Sequence, residues 1–239
     1  IGQIYEVVAR SKMRCYFSPT LFSSDVDTAE ETLARTRVII EKILSYNDDR
    51  FKVMVAPHAP YSCSKDLLKG SLELARELQL KLHIHVAETQ AENGMILERY
   101  GKRPLAFLKE LGYLEHEGIF AHGVELNERE IEELTASKIH IAHNPISNLK
   151  LASGIAPVTD LIQAGVTVGL ATDSVASNNN LDMFEESRTA ALLQKMRTGD
   201  ATQFTIEQAL KTMTIEGAKA LGMDDQIGSL EVGKQADFL

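Results

Sequence analysis

Six short apolar runs alternate with helical patterns along this chain, and that alternation leaves few folds open to it. The runs cover residues 14–17, 51–56, 82–87, 118–122, 139–143 and 166–171. Apolar residues at helical spacing fill 27–44, 64–78, 94–111, 127–137, 157–164, 183–196 and 205–221, and residues 1–10 read as the end of an amphipathic helix. Local punctuation agrees. Asp27 or Thr28 and Ser64 are candidate caps, Asn127 has Glu130 three residues on as return partner, Gly165 closes the 157–164 helix, and the 94–111 pattern breaks before Pro104. Strand and helix in strict order, joined by short connections, predict an α/β fold with a parallel sheet covered by helices. Residues 228–239 turn back towards strand character.

The strand ends carry the chemistry. In LHIHVAETQAE, residues 82–92, Leu82, Ile84 and Val86 alternate with His83, His85 and Ala87, and Glu88 follows where the strand should stop. His85 can offer a ring nitrogen to a metal, and Glu88 can move a proton on or off an activated water. The same kind of ending recurs at His122, His143 and Asp173, with His58 just past another strand. Taken singly, each has an ordinary explanation. His58 shapes a Pro-rich turn, His143 packs in the core against a loop, Asp173 caps a helix, Glu88 faces solvent, His83 and His140 are structural, and His116 is solvated. Jointly they exceed what apolar strands supply by chance, and in a closed β/α barrel such ends meet at one mouth. A mononuclear metal site takes three or four protein ligands; only His85 and Asp173 qualify here.

Composition excludes several classes. The net charge of −9 argues against a nucleic-acid partner. No apolar run is long enough to span a bilayer, so no membrane is expected. Cys15 and Cys63 lack metal or redox spacing, which fits a cytoplasmic protein without disulfides. The sequence starts at Ile1 without Met and stops at ADFL, so it is read as a piece of a longer protein.

HAPYSC at 58–63, HIHVAET at 83–89, FAHGVEL at 120–126, AHNPISNLKLASGIAPV at 142–158, GLATDSVASNNNLDMFEE at 169–186 and GSLEVGKQADFL at 228–239 resemble the amidohydrolase superfamily. Within it, the match is to the 5-methylthioadenosine/S-adenosylhomocysteine deaminase group, close to the triazine and N-ethylammeline chlorohydrolases. The resemblance implies an incomplete (β/α)8 barrel with about six of eight strands, spanning residues 1–227, with 228–239 beginning a small β-domain. It implies His85 and Asp173 as metal ligands. Glu88 becomes proton shuttle and substrate contact, His122 a catalytic histidine, Asp173 the acceptor of the water's proton, and His58 a substrate contact. The metal implied is one divalent ion, zinc first, with iron or manganese as alternatives. The family's first-strand HxH pair has no counterpart here, so a metal-poor, inactive fragment is a competing reading. The activity implied is hydrolytic deamination of an adenine-type nucleoside, a small-molecule substrate; the alternatives are a guanine deaminase or a triazine-type chlorohydrolase. An open barrel edge also makes a homo-oligomer an expectation.

Overall fold

A computed structural model describes residues 2–237. The chain divides into two compact units. One takes in residues through Ile84 together with Leu108–Glu117; the other takes in His85–Phe107 and the residues from Gly118 onward.

The first unit holds α1 (Gly2–Ser11), β1 (Cys15–Phe17), β2 (Thr20–Leu21), α2 (Ala29–Leu44), β3 (Phe51–Pro57), α3 (Lys65–Leu78) and the start of β4 (Lys81–Val86). β1, β2 and β4 each pair parallel with β3, as Cys15 with Phe51, Thr20 with Ala56 and Val55 with Leu82. β3 is buried at every position but Lys52, as expected of a parallel strand covered on both faces. α2 starts where Thr28 accepts the Glu31 N–H and Glu31 returns the bond to Thr28, which settles the choice between Asp27 and Thr28. Ser64 caps α3, whose Leu67, Leu68, Leu72 and Ala75 are buried. The Tyr113 hydroxyl donates to the Leu68 carbonyl at 2.8 Å. His116 is half-buried with a ring nitrogen 2.8 Å from the Leu80 carbonyl, so it is not the solvated loop histidine expected.

The second unit continues β4 and adds α4 (Gln90–Tyr100), the start of α5 (Pro104–Glu110, whose last three residues fall in the first unit), β5 (Gly118–His122), α6 (Glu128–Thr135), β6 (Ile139–His143), α7 (Pro145–Lys150), α8 (Val158–Gln163), β7 (Val168–Leu170), α9 (Val175–Asn178), α10 (Met183–Thr198), α11 (Ile206–Met213) and α12 (Ile215–Leu221). β5 pairs parallel with β6 and β6 with β7, while the Gly123 N–H bonds the Val86 carbonyl at 3.1 Å. Gly169 of β7 approaches Gly217 of α12 so closely that a Cβ on Gly169 would lie 3.0 Å from the Gly217 Cα. Strand after strand is parallel, with helices between. This is the succession of an incomplete (β/α)8 barrel.

Two further expectations are corrected. The 205–221 pattern is two helices, because the backbone turns at Thr214 (φ −129°, ψ −98°) and its hydroxyl takes the Leu210 carbonyl instead. Residues 228–237 form turns, bends and irregular backbone without strand pairing among the described residues; the last two residues of that expected strand lie outside them.

Candidate metal and proton-transfer site

Three strands of the second unit hand the chain to a loop through a non-glycine residue in left-handed conformation. After β4 it is Ala87 (φ 53°), at the end of β5 it is His122 (φ 73°), and after β7 it is Asp173 (φ 60°). Such a conformation costs roughly 1–2 kcal/mol per residue relative to the right-handed one. Strain of this kind persists where surrounding bonds fix it, and it concentrates at functional sites. Here the bonds are visible. The Ala87 carbonyl accepts the Glu125 N–H at 2.8 Å, and the His143 carbonyl accepts the Ala171 N–H at 2.9 Å, two residues before Asp173.

The side chains on these ends gather around His122, which is 1% exposed. The His85 ring stacks on it with centroids 5.4 Å apart at 24°. Glu88 Oε2 is 3.8 Å from His122 Nε2. The other nitrogen, His122 Nδ1, lies 2.8 Å from Asn148 Oδ1 and 3.3 Å from Asn144 Nδ2. The shorter contact makes Nδ1 the donor and leaves Nε2 turned to Glu88. Burial pushes the His122 imidazole pKa down, against the pull of Glu88, Asn148 and Asp173; His85 adds to the lowering. A neutral imidazole follows at pH 7.

Asp173 is half-buried, and burial alone would raise its carboxyl. The Ser147 hydroxyl donating to Oδ2 at 2.6 Å and the Ser174 N–H donating to Oδ1 at 2.7 Å outweigh that and hold it below the usual range. It is therefore an anion with lone pairs to spare, the state a cation requires. Behind it, the fully buried Glu186 accepts from the Ile146 N–H at 3.2 Å and from Asn178, whose amide also donates to the Thr172 carbonyl at 2.6 Å. This ties α7 and α9 to the loop that carries Asp173.

His85, Glu88, His122 and Asp173 all belong to the second unit. His58 belongs to the first. There its Nδ1 lies 2.7 Å from the Ser62 hydroxyl and its ring packs on Phe22 at 4.3 Å. His143 is buried, but without the loop hydrogen bond expected of a core histidine, since neither ring nitrogen has a partner among the described residues. Burial, with His122 adding to it, lowers its pKa to about 3. Sequence reading assigned no role to Ser147, Asn148, Asn144 or Glu186, although the first three stand in the HNPISN segment that follows β6. His85 and Asp173 match a divalent cation in kind, as an imidazole and a carboxylate. In number they fall short, because no set of three or more His, Cys, Asp or Glu among the described residues is arranged to hold an ion.

The sequence matches the Amidohydrolase family over residues 6–239. A 5-methylthioadenosine/S-adenosylhomocysteine deaminase of Bacillus cereus (strain ATCC 10987 / NRS 248) is 47% identical over 238 residues, 99% of this chain and 54% of that protein. An adenosine deaminase from Xanthomonas campestris, solved with bound zinc, superposes with a TM-score of 0.91 at 37% identity, covering 97% of this chain and 53% of that one. An E. coli guanine deaminase superposes at 0.85 with 25% identity, covering 98% and 54%. The chain spans about half the length of the relatives it matches. With a family match over nearly every residue and a relative at 47% identity, the chain belongs to the amidohydrolase family.

Proposed function

We propose that the complete protein is a hydrolase of C–N bonds in cyclic amidines, and that it deaminates an adenine-type nucleoside such as 5-methylthioadenosine or S-adenosylhomocysteine. The observation that carries this is the pairing of Glu88 with a buried His122 at 3.8 Å beside His85. That is an acid/base carboxylate and a neutral imidazole facing one reaction centre. The relatives named for adenine-type substrates, at 47% and 37% identity, favour this substrate class over guanine at 25%.

His85 and Asp173 would hold a divalent ion, zinc by analogy with the relative solved with it, together with donors beyond these two. The ion's contribution is to lower the pKa of a water towards about 7. Asp173, kept anionic by Ser147 and Ser174, takes the water's proton. Glu88 delivers a proton to the ring nitrogen beside the carbon under attack, which makes that carbon a better electrophile. His122, whose Nε2 carries the lone pair of this tautomer, accepts a hydrogen bond from the attacking water and polarises it. In the collapse of the tetrahedral intermediate the amino group takes the proton held by Asp173 and leaves as ammonia, while the new hydroxyl returns a proton to Glu88 and becomes the carbonyl.

The test is ammonia release from 5-methylthioadenosine by the complete protein, native and Glu88→Gln. A loss of about 10²-fold or more is expected when a positioned proton carrier is removed. Undiminished release by Glu88→Gln contradicts the reading.

A further inference from the structure

Three of the described helices begin with a reciprocal cap. Glu31 accepts the N–H of its capping residue Thr28 at 2.8 Å, Glu130 that of Asn127 at 3.0 Å, and Gln208 that of Thr205 at 2.8 Å. α4 begins differently. Thr89 accepts the Glu92 N–H at 3.1 Å, but the Glu92 carboxyl passes over Thr89 and accepts the N–H of Glu88 at 2.8 Å. A cap satisfies the first amides of a helix. Glu92 is 1% exposed, and its Oε1 has no hydrogen-bond partner among the described residues. Glu130 is also buried, yet it takes two bonds from Arg103, each 2.9 Å. No cation is among the groups that act on Glu92; burial raises its carboxyl to about 7. A buried acid without a cation is costly, and capping alone does not explain it. What it grips is the amide that directly follows Ala87, a residue held at φ 53°.

We propose that Glu92 is a positioning residue: its carboxyl oxygen pins the Glu88 amide, fixes the left-handed turn at Ala87, and so aims the Glu88 side chain at His122. The purpose of this clamp rests on Glu88 carrying the proton in the deamination proposed above.

Two variants separate the clamp from general packing. Glu92→Gln keeps an oxygen for the Glu88 amide. Glu92→Met keeps similar bulk and removes the oxygen. In the complete protein with 5-methylthioadenosine, Glu92→Gln should stay within about 3-fold of the native kcat, and Glu92→Met should lose about 10-fold or more with KM and bound metal nearly unchanged. Amide hydrogen exchange reports without turnover. The Glu88 amide should be protected in the native protein and in Glu92→Gln, and should exchange faster in Glu92→Met while the β5 and β6 amides stay protected. A Glu92→Met variant with native kcat overturns the proposal, as does a Glu92→Gln variant that falls as far as Glu92→Met. So does a native Glu88 amide that exchanges like an open loop, a measurement that decides even if Glu92→Met does not fold. If Glu88→Gln is inactive and Glu92→Met fully active, the clamp alone fails. If Glu88→Gln is fully active, the deamination reading fails first.

Discussion

Glu88 Oε2 and His122 Nε2 face each other at 3.8 Å from the ends of adjacent strands. The gap is too long for a hydrogen bond and short enough that both groups address one substrate atom or its neighbour. Asn148 holds the far side of the imidazole at 2.8 Å, so the near side has a fixed direction.

Groups that serve one proton-transfer step lose their value together. Glu88→Gln and His122→Asn should each lower kcat/KM of the complete protein by about 10²-fold, and the double variant should lose far less than the product of the two. Steady-state kinetics on the four forms measures this. Losses that multiply mean that the two residues act in separate steps.

Ser147 is buried and donates to Asp173 Oδ2 at 2.6 Å. That bond is the foremost of those that lower the Asp173 carboxyl. Its loss raises the pKa, so protons compete better with a cation. Ser147→Ala should weaken retention of a divalent ion by about 10- to 100-fold, the usual effect of removing a bond behind a ligand. The weakening should be larger at pH 5.5 than at pH 8. Competition with a chelator at the two pH values checks it; equal affinities to the native protein remove Ser147 from the site.

The parts of this site that could be read from the sequence sit at strand ends or just past them. His85, His122 and Asp173 stand out because each closes a mostly apolar run, where a titratable group is unusual. The parts that could not be read sit in short loop helices. α7 runs only from Pro145 to Lys150, too short for a periodic pattern, yet it delivers Ser147 to Asp173 and Asn148 to His122. Glu186 reads as one of two acids in the first turn of α10, and only the fold shows it buried against the Ile146 amide. Glu92 reads as half of a reciprocal cap, and only its geometry separates it from the three that are. The break at Thr214 is silent for a similar reason, since the apolar spacing runs through it.

His143 offers a prediction about stability. It is 1% exposed and both ring nitrogens lack partners among the described residues, so the native state holds it neutral, with a pKa lowered to about 3 by burial first and His122 second. The unfolded chain regains the ordinary value of 6.5. Below pH 6.5 the unfolded state therefore binds a proton that the native state refuses, and stability falls as the pH drops from 6.5 towards 3. The slope has an upper limit of about 1.4 kcal/mol per pH unit for one group. Leucine in place of the imidazole removes both this linkage and two unsatisfied polar atoms. His143→Leu should match or exceed the native Tm at pH 7, and its Tm should fall less between pH 6.5 and pH 4. Calorimetry across that range reads the difference. A His143→Leu variant that loses stability at pH 7 and keeps the native acid slope would show that His143 has polar partners in solution, a bridging water or a bound ion foremost among them.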